Sequence, residues 1–335
     1  MIKDLIRQLV DKKDLTAIEM QQVMREILSG VTDTADIINF LTSLNEKGET
    51  AEELTAAVKE MLKYVEPIVI DTGNILDTCG TGGDKKGTFN ISTITAIIAS
   101  GAGITVAKHG NRSISSKCGS ADILEALGVN INMDKVKIKK CLKEIGIAFL
   151  FAPNLHLAMK NVMPARKQIA GKTMFNILGP LINPARATNQ LIGVYSKQWT
   201  RPLAQVLYNL GSRHVLVVHG ADGLDEVTTT DKSFVSEVNN GVLRDYEISP
   251  EEFGLPRAKA GDLAGGSIEK NVRIFQEILN GKKGRARDII LLNAGCAIYA
   301  ADKADTIGEG IVLAEESIDS KAALKKLELL KEYSN

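Results

Sequence analysis

In the first 66 residues, apolar side chains recur every three or four positions, which is the period of a helix with one buried face. Ile2 to Val10 carry the first stripe. Thr16 and Glu19 form a capping-box pair ahead of Ile18, Val23, Ile27 and Leu28, and Gly30 ends that run. Ile37, Ile38, Leu41 and Leu44 form a third stripe closed by Gly48. Thr50 and Glu53 repeat the box before Leu54, Ala57, Val58, Met61, Leu62 and Val65, with Pro67 as the stop. Residues 1–66 are therefore expected to form a small helical bundle, a module suited to capping a site or meeting another subunit.

Beyond Pro67 the period changes. Short apolar runs at 75–76, 104–106, 147–151, 191–194 and 215–219 are separated by helical stretches such as 121–127, 136–145 and 201–210. Strands alternating with helices predict an α/β domain over 67–335 with a mainly parallel central sheet. One hairpin interrupts it, 234–238 and 242–246 around Asn239-Asn240-Gly241, where Asn-Gly suits a tight turn. Helices are expected at 268–279, 289–300 and 320–332, and the basic stretch 282–287 between them is expected to be a solvated loop.

Composition narrows the class without naming a chemistry. The 335 residues are 44% hydrophobic and 24% charged, ordinary for a globular chain. Forty-one basic residues balance forty-one acidic ones, so no net field draws the chain to nucleic acid or an anionic membrane. The longest largely apolar stretch, 289–301, is interrupted by Asn293 and too short to span a bilayer. Cys79, Cys118, Cys141 and Cys296 show no paired spacing, and the N-terminus has no secretory pattern, so a cytoplasmic location is expected.

Chemistry concentrates in three segments. A short strand runs into Asp77-Thr78-Cys79-Gly80-Thr81-Gly82-Gly83-Asp84, and Thr88-Phe89-Asn90-Ile91-Ser92-Thr93 then opens an apolar helix. Glycines let backbone amides approach an anion, and a helix start aims unpaired N–H groups at it. The spacing matches neither the dinucleotide fingerprint nor a P-loop. A second strand ends in Lys108-His109-Gly110-Asn111-Arg112-Ser113, followed by Ser115, Ser116, Lys117 and Ser120, a group of cations and hydroxyls suited to a polyphosphate. Ser120 also reads as the cap of the next helix. The third segment, Asp222-Gly223-Leu224-Asp225-Glu226, follows the strand at 215–219 and offers hard oxygen ligands of the kind magnesium takes.

Together with Phe175-Asn176-Ile177-Leu178-Gly179-Pro180-Leu181-Ile182-Asn183-Pro184, these motifs resemble the anthranilate phosphoribosyltransferase family along the whole chain. The resemblance implies a homodimer with a helical N-terminal domain and a larger α/β domain. It also implies transfer of phosphoribose from phosphoribosyl pyrophosphate to the amine of anthranilate, a step of tryptophan biosynthesis. By the same resemblance Gly80, Gly83, Asp84, Thr88, Asn90, Ile91, Ser92, Thr93, Lys108 and Ser120 hold the donor. The run His109, Gly110, Asn111, Arg112, Ser113, Ile114, Ser115 and Ser116 closes over it. Ser92, Asp225 and Glu226 hold two magnesium ions, Asn111 and Arg166 contact anthranilate, and Gly80 touches both substrates. His109, His156, Gly179 and Pro180 line the acceptor channel. The chain departs from the family at Leu157, where proline is usual, and Lys85-Lys86 adds charge to the first loop.

Two other readings share part of this pattern. A pyrimidine nucleoside phosphorylase has the same kind of fold and a Lys-His-Gly loop but uses free phosphate. The Asp225-Glu226 pair, Asn111 and the segment from Asn176 to Pro184 favour the transferase over it. A non-catalytic nucleic-acid-binding relative would need a basic stripe, which the balanced charge does not provide.

Overall fold

The computed structural model describes residues 1–71, 73–112 and 118–335. Four helices open the chain: α1 (Ile2–Val10), α2 (Ala17–Ser29), α3 (Thr34–Lys47) and α4 (Ala51–Met61). Thr16 and Thr50 close both expected capping boxes, and Asp33 caps α3 with a single bond from the Asp36 amide. Glu53 does more than its box requires. Fully buried, its carboxylate accepts from the Leu15 amide at 2.9 Å and from the Lys47 ammonium at 2.9 Å, joining the start of α2 to the end of α3.

The α/β portion follows in the order β1 (Ile75–Gly80), α5 (Ile91–Gly101), β2 (Thr105–Gly110), α6 (Ser120–Ala126), α7 (Lys135–Glu144) and β3 (Ile147–Phe151). Three short helices come next, α8 (Ala152–Leu155), α9 (Met163–Gln168) and α10 (Phe175–Leu178). Then come β4 (Asn189–Gly193), α11 (Thr200–Asn209), β5 (His214–Gly220), β6 (Ser233–Asn239) and β7 (Val242–Ile248). Four helices end the chain: α12 (Ile268–Leu279), α13 (Arg285–Ala300), α14 (Ile307–Asp319) and α15 (Ala322–Ser334).

The sheet runs β3-β2-β1-β4-β5-β6-β7. Its first five strands are parallel, and β6 and β7 add an antiparallel edge. The hairpin turns at Asn240 and Gly241 with φ of 46° and 83°, the positive values a tight two-residue turn needs. Because β1 connects outward to β2 while β4 lies on its other side, the strand order reverses beside β1. The crevice at the carboxyl ends of β1 and β4 is where such a sheet binds ligands.

Alternation along β5 divides the core. Leu216 and Val218 join α5, α13 and α15 on one face, whereas Val215 and Val217 join the N-terminal helices on the other. Met20, Met24, Phe40 and Leu54 thus share one apolar cluster with Phe175, Ile192 and Leu203. Among the described residues, no helix is long and apolar enough to cross a membrane.

Three expectations are corrected. Helix α14 was not anticipated, because Gly308 and Gly310 dilute its signal. Gly310 is required there, since a Cβ would lie 2.3 Å from the Gly295 carbonyl oxygen where α13 and α14 touch. The basic stretch 282–287 is only partly a loop. Helix α13 begins at Arg285, and Arg287 is buried against Glu315 at 3.0 Å and Asp319 at 2.8 Å. Finally, Ser120 is the first residue of α6 rather than its cap. Gly119 holds the cap position, and the Ser120 hydroxyl donates to the Asn111 carbonyl at 3.1 Å, tying the preceding loop instead.

Candidate active site

Strands β1, β2, β4 and β5 all end in glycine, which lets the turns beyond them come close together. The requirement is steric at Gly193, where a Cβ would sit 1.6 Å from the Asp225 carbonyl oxygen. At the end of β1, the Thr81 amide donates to the Gly193 carbonyl at 2.9 Å, and Gly82 and Gly83 then turn with φ of 64° and 82°. Asp84 accepts from the Lys86 amide at 3.1 Å and meets the Asp225 amide at 3.5 Å, joining the first turn to the third. Thr88 bridges Ala264, which pins the descent into α5.

The start of α5 places its polar side chains unequally. Asn90 is the N-cap, its side-chain oxygen accepting from the Thr93 amide at 3.3 Å. Ile91 and Thr93 are buried, and the Thr93 hydroxyl has no partner among the described residues. Ser92 faces the second turn and accepts from the Lys108 ammonium at 3.3 Å.

Lys108 is buried at the end of β2, where it also donates to the Thr78 carbonyl. Burial pulls its pKa down, opposed by Asp77 and Glu226. Asp77, fully buried, accepts from the His109 amide at 3.0 Å and from Asn183 Nδ2 at 2.7 Å. Asn183 in turn donates to the Ala107 carbonyl at 2.8 Å. Asp77 and Asn183 thus brace the Lys108-His109 pair from behind, a role that nothing in their spacing announces. Arg112 pairs with Asp122 at 2.9 Å and Glu125 at 2.8 Å. Four residues assigned to this loop from sequence, Ser113, Ile114, Ser115 and Ser116, lie outside the described residues, as does Lys117.

In the third turn the carboxylates have separate duties. Asp222 holds the turn itself, accepting from the Thr228 hydroxyl at 2.9 Å and the Leu224 amide at 3.1 Å. Asp225 and Glu226 face the first two turns instead. Desolvation and the nearby Asp84 raise Asp225 to about 7. Desolvation and Asp225 push Glu226 upward as well, against the pull of Lys108. Crowded carboxylates of this kind are relieved by a cation. Among the described residues, no three His, Cys, Asp or Glu side chains form a closed metal cage. Two carboxylates and the Ser92 hydroxyl, completed by water and substrate phosphate, suit magnesium, which is seldom held by protein ligands alone.

Where the resemblance leads one to expect the acceptor channel, His109 and His156 meet Nε2 to Nε2 at 3.0 Å, both buried. Burial holds His109 at about 3 and His156 at about 4, so both rings are neutral at pH 7. Gly179 and Pro180 form a short 3₁₀ turn, and the Gly179 backbone bonds His109. Arg166, on α9, lies with its guanidinium 5.9 Å from the Phe175 ring centre and has no carboxylate partner among the described residues. Leu157, where proline was expected, is 65% exposed, whereas its neighbour His156 is buried. Asn111 is exposed at the end of the second turn, its side-chain oxygen accepting from the Arg112 amide at 2.7 Å.

The helical-bundle domain pattern of a glycosyl transferase family matches residues 3–65, and the a/b-domain pattern of that family matches residues 72–324. The chain is 50% identical over 335 residues to the anthranilate phosphoribosyltransferase of Methanobrevibacter smithii, covering 100% of both chains. The chain belongs to the anthranilate phosphoribosyltransferase family. In three dimensions it is similar to the family's enzyme from Thermus thermophilus, with a TM-score of 0.93, 38% identity and 98% of each chain covered. The Saccharomyces cerevisiae enzyme, solved with phosphoribosyl pyrophosphate and magnesium, superposes with a TM-score of 0.90 at 30% identity, over 99% of this chain and 97% of that one.

Proposed function

We infer that this chain is an anthranilate phosphoribosyltransferase: it moves the phosphoribosyl group of phosphoribosyl pyrophosphate to the amine of anthranilate and releases pyrophosphate, in tryptophan biosynthesis. The observation that carries the inference is the convergence of three turns at the sheet's switch point. Asp84 meets Asp225, and Lys108 meets Ser92.

Each group then has a task. The Gly80–Asp84 turn, Thr88 and the start of α5 from Asn90 to Thr93 cradle the donor. Lys108, His109, Gly110, Asn111, Arg112 and Ser120 stand on its other side. Ser92, Asp225 and Glu226 would hold magnesium, and the count of two ions belongs to this proposal. When bound, magnesium offsets the charge of the diphosphate leaving group. Lys108 lies where that charge develops as the bond to the anomeric carbon breaks, and interactions that strengthen in the transition state are the ones that accelerate. Anthranilate's amine is neutral already, so orientation can replace a strong base. Arg166, with no carboxylate partner among the described residues, can fork onto the acceptor carboxylate, with the neutral His109-His156 pair, Gly179 and Pro180 shaping the channel.

A nucleoside phosphorylase would consume free phosphate and needs no such carboxylate pair. The domains at 1–66 and 67–335, a homodimer formed through the helical module, and a cytoplasmic location complete the proposal. Loss of anthranilate fluorescence should require the donor and magnesium together. Arg166→Ala should raise the KM for anthranilate roughly ten- to a hundredfold, the range of a charge-assisted hydrogen bond, and leave the donor's KM near its original value. Equal effects on both would remove Arg166 from the acceptor site. Asp225→Asn combined with Glu226→Gln should nearly abolish turnover in magnesium buffer, and an active double variant would remove the metal site.

A further inference from the structure

The connection between α9 and α10 brings a further cation to the site. Lys172 lies six positions beyond Arg166, in the segment that continues into Phe175-Asn176. Its position is fixed locally: the Thr173 amide donates to Asn176 Oδ1 at 2.8 Å, and the Asn176 amide donates to the Thr173 carbonyl at 2.8 Å. From there the Lys172 ammonium donates to the Gly83 carbonyl at 3.3 Å. It also rests 2.9 Å from the centre of the Tyr195 ring, a cation over an aromatic face.

Tyr195 is itself anchored to the same turn. Its amide donates to the Thr81 hydroxyl at 3.1 Å, and its own hydroxyl accepts from Trp199 Nε1 at 3.0 Å. The turn after β1 is thus gripped twice, through Thr81 by the chain beyond β4 and through Gly83 by Lys172. The Lys172 charge is felt favourably by Asp225 and Asp84 and unfavourably by Lys85. No other described cation is bonded to the carbonyl of Gly82 or Gly83.

We propose that Lys172 is a positioning residue for the donor: by holding the Gly83 carbonyl from the Tyr195 platform, it keeps the Gly80–Asp84 turn in the shape that receives the diphosphate. Gly82 and Gly83 are conformationally the freest residues of that turn, so an external hold matters most there. A hold of this kind preorganises the donor site and leaves the acceptor site alone. The reading rests on the transferase function and deepens it.

The test compares Lys172→Met and Lys172→Arg with the parent chain. Lys172→Met keeps length and apolar contact with Tyr195 but removes the donor. Its KM for phosphoribosyl pyrophosphate should rise roughly ten- to a hundredfold, the span of a lost hydrogen bond to a charged group. Its KM for anthranilate should stay within about twofold and its melting temperature within about 2 °C, since Lys172 is only half-buried. Lys172→Arg should recover most of the donor affinity. An unchanged donor KM in Lys172→Met, equal rises in both KM values, or failure of arginine to rescue would overturn the proposal. Donor dissociation constants measured by calorimetry with magnesium separate the two levels. If the parent chain binds donor but never turns over anthranilate, the functional reading fails while the Lys172 comparison is still decided by those constants.

Discussion

The His109-His156 pair shows how burial keeps two ordinary imidazoles neutral. Both rings ionise less readily in the folded chain than in the unfolded one, by desolvation first and, for His109, by each other's proximity second. Below the unfolded value of about 6.5 the unfolded chain therefore binds more protons. Stability present above that pH is lost as the pH falls toward about 4 and then about 3. Each histidine can contribute up to about 1.4 kcal/mol per pH unit across its window. Urea midpoints between pH 7.5 and 4.5 should fall more steeply for the parent chain than for His156→Asn, and parallel curves would refute this assignment. His109 was legible as part of the Lys-His-Gly-Asn-Arg motif. His156 was expected in the same channel from the resemblance, but the direct contact of the two rings was not legible, because they lie 47 positions apart and spacing carries no signal of it.

At the scale of the element, the capping boxes of α2 and α4 follow directly from Thr-x-x-Glu spacing, and both are present. What spacing did not reveal is that Glu53 serves three segments at once. Removing it leaves the Lys47 ammonium, itself 3% exposed, with the exposed Asp14 as its remaining ion-pair partner among the described residues. Glu53→Ala should therefore cost about 3 kcal/mol, at the lower end for breaking a buried ion pair. Thr50→Ala, which loses a cap alone, should cost about 1 kcal/mol. Denaturant melts of the two variants would rank them, and equal losses would deny Glu53 its wider role. Helix α14 makes the opposite point. Gly308 and Gly310 weaken a helical reading, yet Gly310 is what permits contact with Gly295 on α13. Local propensity reads against a helix there because it cannot register a neighbour.

For the molecule as a whole, the site exists only where four strand ends and the α9–α10 connection meet. A ligand bridging those parts ties the folded state together and should raise its stability by mass action. Phosphoribosyl pyrophosphate with magnesium at about a hundred times its dissociation constant should add about 2.7 kcal/mol, read as a rise in melting temperature. Free phosphate with magnesium should give far less. Equal shifts would favour the phosphorylase reading. The merging of the helical module with one face of the sheet, through Met24, Phe40, Phe175 and Ile192, means that changes in that module should also reach the acceptor side.

Hydrophobic period, capping residues and glycine turns depend on near neighbours in the chain, so the sequence by itself determined the helical start, the alternating strands and the three anion-suited segments. Their convergence was beyond it. The order of strands, the approach of Asp225 to Asp84, the brace of Asp77 and Asn183 behind Lys108, and the hold of Lys172 on Gly83 join residues from 30 to more than 140 positions apart. Such contacts have no spacing rule. They arise when a twisted parallel sheet buries both faces and leaves its carboxyl ends as the one place where separate turns must meet.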